Sequence, residues 1–489
     1  MAWRVSNNYE RSFWLLIIAV TILRLIMALF LEPAPQEAYY WNYSLHPDIS
    51  YFDHPPMTAY LIYFFTGIFG DNSFGLHFSA IFISFVLSLL MFYLIKSLFD
   101  IKTAFWSVIA GVSTLIFSLG GIIITPDGPL LLFWFLMMFA LYQAVENDNL
   151  NLWILTGVFG GAAFVSKYTA AFAFIGAFLY LLTYDKGRKC LFSYKPYLSL
   201  LISFIVSLPV VVWNYQHNWA SFGFQSGRRA AEAVTIRADY FFGFLGSQVG
   251  VLGIFLMPLF IWGIIKTASH IKDDSRLALF FWFTLPTLLF FTLISPVHYV
   301  KMNWLAPAYL SGLPVVVYML LKSVSLKWKA YGKFALSFSI AATLVFHIML
   351  FIPAVGIGKA DTIHGWSELA ARVDEIRADF SKHGEFFICG YEYKTASELR
   401  FHLDDQPETF SNNIVGKRGL AYDFWSDPDT LIGKNCIFVY DQRNRYKNPK
   451  HLKDVFERVD EPEIFTAARG GKKITDFYIY KCYSYKGIL

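Results

Sequence analysis

The chain has 489 residues, of which 56% are hydrophobic, 19% aromatic and only 16% charged. That balance excludes an ordinary water-soluble globule. A formal net charge of +5, held mostly in short loops, excludes a nucleic-acid partner.

Repeated apolar runs of about 20 residues match the ~30 Å hydrocarbon core of a bilayer crossed as helices. Only a helix or a closed barrel satisfies backbone hydrogen bonds in lipid, so the runs predict helices. The first, residues 13–31, follows Arg4 and Arg11 and lacks a small-residue cleavage pattern, so it reads as a retained signal anchor. Arg24 interrupts it and is expected to pair with an acid, Glu32 lying two turns on. The stretch QEAYYWNYSLHPDISYFDHPP (36–56) is polar, aromatic and free of Lys and Arg. Residues 57–70 are apolar but short, and read as a surface or re-entrant helix. Further spans are expected at 75–97, 104–123, 129–146, 151–166, 169–184, 196–213, 240–265, 277–295, 304–322 and 331–355, making eleven with the first.

Charge then predicts direction. With the N-terminus cytoplasmic, the inner short loops hold fifteen Lys and Arg and the outer ones five, Lys167, Arg228, Arg229, Arg237 and Lys301. The tail, 356–489, changes character: WSELAARVDEIRADF (366–380) has helical periodicity, with Leu369, Ala370, Val373, Ile376 and Phe380 on one face. EFFICGY (385–391), NCIFVY (435–440) and DFYIYKCY (476–483) read as strands. The expected organisation is therefore a transmembrane domain over 1–355 and a small α/β domain over 356–489, placed outside the membrane by the odd number of spans. The four cysteines show no metal-type spacing, and at most one disulfide is expected in the tail, free thiols being the other reading.

The unusual residues gather in the outer loops: the 36–56 stretch, TPDGP (125–129), SKYT (166–169), WNYQHNWASFGFQSGRR (213–229) and SPVHYVKMNW (295–304). Asp127, between Pro126 and Pro129, reads either as a helix cap or as a functional carboxylate. Lys167 reads either as a snorkelling lysine or, with Lys301 and the pair Arg228 and Arg229, as part of an anion-binding group such as a phosphate site requires. Glu37, Asp53 and His54 lie among Tyr39, Tyr40, Trp41, Tyr43 and Tyr51. An interfacial aromatic belt explains the rings but not the acids. Carboxylates beside flat rings suit a sugar site: acceptors for hydroxyls, apolar faces for ring C–H groups, and a base.

The motifs QEAYYWNYSLHPDISYFDHPPMTAYLI, TPDGPLLLFW, SKYTAAF and VKMNWLAPAY, spread over roughly residues 10–320, resemble those of the GT-C membrane glycosyltransferases. The branch they resemble is the family-39/83 type: protein O-mannosyltransferases, the aminoarabinose transferase of lipid A and lipopolysaccharide-core galacturonosyltransferases. The resemblance implies an α-helical polytopic membrane protein with about 11–13 transmembrane helices and a small periplasmic α/β domain. It implies a hexosyl- or pentosyltransferase of the inner membrane that uses a polyprenyl-phosphate sugar. Transfer would go, with inversion, to a hydroxyl or phosphate of a glycolipid, glycan or protein at the periplasmic face. In its terms Glu37, Asp127 and Asp53 are the candidate catalytic residues, Glu37 being the general base. Many relatives carry two acids where this chain has Gln36 before Glu37, so either Glu37 alone is the base or Asp53 contributes. Lys167, Lys301, Arg228 and Arg229 are the candidate donor-phosphate ligands. Tyr39, Tyr40, His54, Tyr168 and Asn303 are the candidate substrate contacts. The resemblance leaves a divalent cation open, and no metal ligands are assigned. Two other readings remain at this stage: a transporter or flippase for a lipid-linked glycan, which calls for polar or broken helices at mid-membrane, and a non-catalytic envelope assembly factor.

Overall fold

In a computed structural model, residues 2–230, 235–352, 356–443 and 451–488 are described; for 2–7, 228–230 and 351 the description is of the backbone alone. Seven helices among them are long and apolar enough to cross a membrane: Asn8–Ala28, Ser73–Leu98, Asp127–Asn147, Lys195–Gln216, Ser275–Ile294, Met302–Lys322 and Leu326–Leu350. Their outer faces carry large exposed apolar side chains such as Ile22, Phe204 and Leu293, as lipid-facing surfaces do. The short apolar run forms one helix, Met57–Phe69.

Four expected spans take other forms. Those at 151–166 and 169–184 are the shorter apolar helices Leu150–Ser166 and Tyr168–Thr183. The one at 240–265 is a pair, Ala238–Leu252 and Leu256–Ala268, bent by 93°. Gly253 makes the break; its φ of +107° is open to glycine and strained for other residues. The expected span 104–123 is two helices, Ile101–Val112 and Leu115–Leu119. Its interruption frees carbonyls that need partners in a dry environment. The hydroxyls of Ser339 and Thr343 both donate to the Ser113 carbonyl, at 2.7 and 2.6 Å. Arg24 donates to the Phe117 and Ser118 carbonyls and, at 2.6 Å, to the Ser84 hydroxyl. The acid expected beside Arg24 is thus replaced by a hydroxyl and backbone oxygens.

The chain forms two compact units, and they cut across the expected 355/356 boundary. One comprises Met1–Ile26, His54–Thr58 and Phe78–His347; the other comprises Met27–Asp53, Ala59–His77 and Ile348–Leu489. The first unit is a helical bundle with a continuous apolar core that includes Trp134, Phe283 and Tyr309. Its helices approach closely where side chains are small. Beside Gly157 and Gly161, a GxxxG pair on Leu150–Ser166, an added Cβ would come within 2.5 and 2.7 Å of the Ser199 and Ser203 carbonyls. Ser203 Oγ donates to the Gly157 carbonyl at 2.8 Å across the same contact.

The second unit is built on a six-stranded sheet: β1 (Phe386–Gly390), β2 (Thr409–Phe410), β3 (Asn435–Asp441), β4 (Phe456–Val459), β5 (Glu463–Arg469) and β6 (Lys472–Tyr485). The main order is β2-β1-β3-β6-β4, with β5 also pairing β6. β1 runs parallel to β2 and β3, whereas β6 runs antiparallel to β3, β4 and β5. Strand β3 is buried along its whole length, as expected when both faces of a sheet are covered. Trp366–Phe380 covers one face with the predicted stripe, and all five named residues are buried. Cys389, Cys436 and Cys482 are buried free thiols, although Cys436 and Cys482 are register partners.

Candidate active site

In the helical unit, three motifs that lie far apart in sequence meet at one carboxylate. Pro126 supplies the N-cap of Asp127–Asn147, so Asp127 is the first helical residue and its side chain makes no cap. Asp127 is 7% exposed. Lys167 Nζ donates to Asp127 Oδ1 at 2.7 Å, and Asn303 Nδ2 donates to Asp127 Oδ2. Lys167 is 5% exposed, so it turns inward and does not snorkel. The backbone explains its position: Lys167 leaves the Leu150–Ser166 helix in extended geometry before the 3₁₀ turn Tyr168–Ala170. Asn303 sits in a second such turn, Met302–Leu305. The buried Gln248 fixes that turn, donating to the Met302 carbonyl at 3.3 Å while accepting from Tyr309 at 2.9 Å.

His54 belongs to the same unit. Burial, and then the charges of Lys167 and Lys301, push its imidazole well below the usual histidine range, which makes it neutral at physiological pH. Lys301 is exposed at the start of the Met302–Leu305 turn. Tyr168 shares a 2.7 Å hydrogen bond with Ser221, and its ring lies 5.6 and 5.7 Å from those of Phe164 and Phe222. Thus Asp127, Lys167 and Asn303 make direct contact, and Lys167 and Lys301 both lie within electrostatic reach of His54. The side chains of Arg228 and Arg229 lie outside the described residues.

The second unit holds the remaining predicted acids. Glu37 is in the first turn of Pro35–Leu45 and has no exposed surface. Its Oε2 accepts from the Ala34 amide at 2.9 Å, and its Oε1 lies 3.1 Å from His77 Nδ1. His77 Nε2 lies 3.2 Å from the Leu31 carbonyl. Both ring nitrogens therefore face oxygen atoms. Asp53 Oδ1 accepts from Tyr39 Oη at 2.9 Å and from Tyr43 Oη. Tyr39 and Tyr43 reach it together because i and i+4 share one helix face. Tyr40 is buried, with its ring 5.7 Å from that of Tyr43.

Helix Tyr393–His402 adds residues with no motif to announce them. Arg400 donates to Asn42 Oδ1 at 3.2 Å and pairs with Glu408 at 2.7 Å. Glu398 is fully buried, and among the described residues neither of its oxygens has a hydrogen-bond partner. His402 Nε2 is 3.3 Å away but lacks hydrogen-bond geometry. Burial, and then the charges of Glu32 and Glu37, push Glu398 well above the usual carboxylate range. Among the described residues no group of three or more His, Cys, Asp or Glu side chains is placed to hold a metal ion.

Known proteins share this organisation. Residues 53–213 match the family described as dolichyl-phosphate-mannose-protein mannosyltransferase. The chain is 24% identical over 358 residues to the lipid A galacturonosyltransferase RgtD of Rhizobium johnstonii, covering 70% of this chain and 72% of that protein. The apo crystal structure of ArnT from Cupriavidus metallidurans superimposes with a TM-score of 0.63 at 12% identity, covering 96% of this chain and 98% of that one. The chain has the fold of ArnT. ArnT bound to undecaprenyl phosphate gives a TM-score of 0.61 at 11% identity over the same shares. With that fold the chain is a multi-pass membrane protein with a small sheet-bearing domain, as the resemblance implied.

The GT-C motifs in the sequence thus lead to Asp127, Lys167, Asn303, Glu37 and Asp53, but not to their partners. His77 is a single histidine in an apolar run, and Glu398 and Arg400 lie more than 340 residues beyond the 36–56 stretch. Tyr43 had a readable signal, its i+4 spacing from Tyr39.

Proposed function

We propose that this chain transfers a sugar from a polyprenyl-phosphate donor to a hydroxyl or phosphate of a glycolipid, glycan or protein, with inversion, at the extracytoplasmic face of the inner membrane. The observation that carries the reading is the Asp127–Lys167–Asn303 cluster, with Lys301 and His54 beside it, in a GT-C fold. Support comes from the lipid A galacturonosyltransferase relative and from ArnT, crystallised with undecaprenyl phosphate. The bias of Lys and Arg between alternate loops supports the orientation.

In this reading the bond between the anomeric carbon and the phosphate oxygen breaks, and the electron pair stays on the phosphate. The acceptor oxygen bonds to the anomeric carbon from the opposite face, and its proton passes to a carboxylate. Lys301 and Lys167 stabilise the charge gathering on the departing phosphate, and neutral His54 donates a hydrogen bond to it. Asp127 holds Lys167 in place. Of the two candidate bases, Asp53 suits the acceptor proton better. It keeps 9% exposure, whereas Glu37 has none and engages both oxygens with Ala34 and His77. Glu37 then positions the 31–45 segment. Tyr39 and Tyr40 provide ring faces for a sugar.

Mass spectrometry of envelope glycolipids and glycoproteins from cells with and without the chain tests the reading. A single sugar mass lost from one acceptor class on deletion is the expected result. Unchanged acceptors with accumulated or mislocalised intact donor would favour a carrier instead.

A further inference from the structure

The sheet-bearing unit contains a cavity of about 1020 Å³ that the transfer reaction does not use. Sheet register builds one wall. Tyr440 of β3 pairs with Tyr478 of β6, and Tyr480 follows two residues on, so all three side chains emerge on one face. The Tyr440 and Tyr478 ring centroids are 5.7 Å apart. Tyr478 and Tyr480 are half-buried, so each leaves part of its ring facing the cavity.

Lys359 and Lys453 stand at the same cavity, both exposed. Among the described residues neither has a carboxylate within salt-bridge distance, whereas Lys434, Arg443, Arg458 and Lys473 of the same unit do. Two acids also line the space. Asp460 is tied to Arg458 at 3.3 Å and to Tyr483 Oη at 3.1 Å, which leaves Glu461 as the carboxylate open to hydroxyl donors.

The chemistry of this lining is specific. Aromatic faces pack against the C–H face of a pyranose, phenols and a carboxylate bond its hydroxyls, and two ammonium groups pair with an acidic substituent. The volume is at the upper end of the usual range for ligand sites, ~300–1,000 Å³, which suits more than one sugar ring. We infer that this cavity is a second carbohydrate site, which binds an acidic oligosaccharide bearing carboxylate or phosphate groups. The inference does not depend on the transfer reading, because its test measures binding alone.

The test is isothermal titration calorimetry on the full-length protein in detergent micelles. The probes are trigalacturonate for a carboxylate source, glucose 1-phosphate for a phosphate source, neutral maltotriose, and inorganic phosphate. At least one acidic sugar is expected to bind ten-fold or more tightly than maltotriose. The double variant Lys359→Ala/Lys453→Ala is expected to erase that preference without altering maltotriose binding. Tyr478→Ala is expected to weaken both sugars at least five-fold, and Tyr478→Phe to retain the acidic preference. Three results each overturn the inference: no sugar binds; the double variant keeps the wild-type preference; or inorganic phosphate matches the acidic sugars, an adventitious ion only. Lys359 and Lys453 are exposed, so their removal leaves the fold intact and the outcome readable.

Discussion

Lys167 Nζ sits 2.7 Å from Asp127 Oδ1, although one residue opens a helix, the other lies just past the end of another, and they are separated by 40 positions. Both side chains are almost fully enclosed. Removing one partner strands the other, and breaking a buried ion pair costs about 3–5 kcal/mol. Lys167→Met is therefore expected to lower the thermal unfolding temperature clearly and to abolish transfer. Asp127→Asn keeps the shape and the Asn303 contact, so it is expected to abolish transfer with less loss of stability. Thermal melts in micelles alongside a transfer assay check the split; equal destabilisation by both variants would reduce the pair to a structural one.

Asp53 and Glu37 differ in a way that activity can separate. Asp53→Asn removes the proposed base, and a general-base step contributes ~10²–10⁴-fold. A fall of that size in the rate of transfer, with donor affinity unchanged, is expected. Glu37→Gln keeps the shape but changes the pairing with His77, so its main expected effect is on stability, with measurable transfer remaining. The reverse ranking, with Glu37→Gln inactive and well folded, would return the base to Glu37.

How much of this was readable in the sequence depends on distance along the chain. Asp127, Lys167 and Asn303 each stand in a short polar break between apolar runs, so composition alone exposes them. Their meeting follows from helices that reverse direction at those breaks. His77 and Glu398 are hidden for the opposite reason. Each lies in an ordinary-looking helix, and its surroundings are fixed only by tertiary packing. The interrupted helix at 113–114 was missed because the run around it stays apolar; the compensation lies in Ser339 and Thr343, more than 200 residues later. The bend at Gly253 left a local sign, a glycine in mid-run, which apolarity averaged over a window conceals.

Glu398 makes stability depend on pH in a definite direction. Its folded-state pKa is raised, so the folded protein binds the proton more strongly than the unfolded chain does. The stability it contributes is fully present below the ordinary carboxylate pKa of ~4.3 and is lost as pH rises toward the raised value. Between those limits the slope is up to about 1.4 kcal/mol per pH unit for one proton. Glu398→Gln, a neutral isostere, is expected to flatten the melting temperature of the sheet-bearing unit between pH 5 and 8. An unchanged slope would mean that Glu398 is ionised in the folded protein.

Lys301 is exposed, and its removal is expected to spare the fold. Lys301→Ala should raise the KM for the polyprenyl-phosphate donor several-fold and leave the KM for the acceptor unaltered. Steady-state titration of each substrate separates the two, and an effect confined to the acceptor would remove Lys301 from the phosphate site.

The central claim is that this cluster promotes departure of a lipid phosphate from a sugar. The most direct measurement incubates the purified protein with a polyprenyl-phosphate-linked sugar and acceptor membranes and quantifies free polyprenyl phosphate. The account predicts release matched one-to-one by glycosylated acceptor in the wild type, and neither product with Asp127→Asn. Release or transfer at wild-type rates by Asp127→Asn would contradict it.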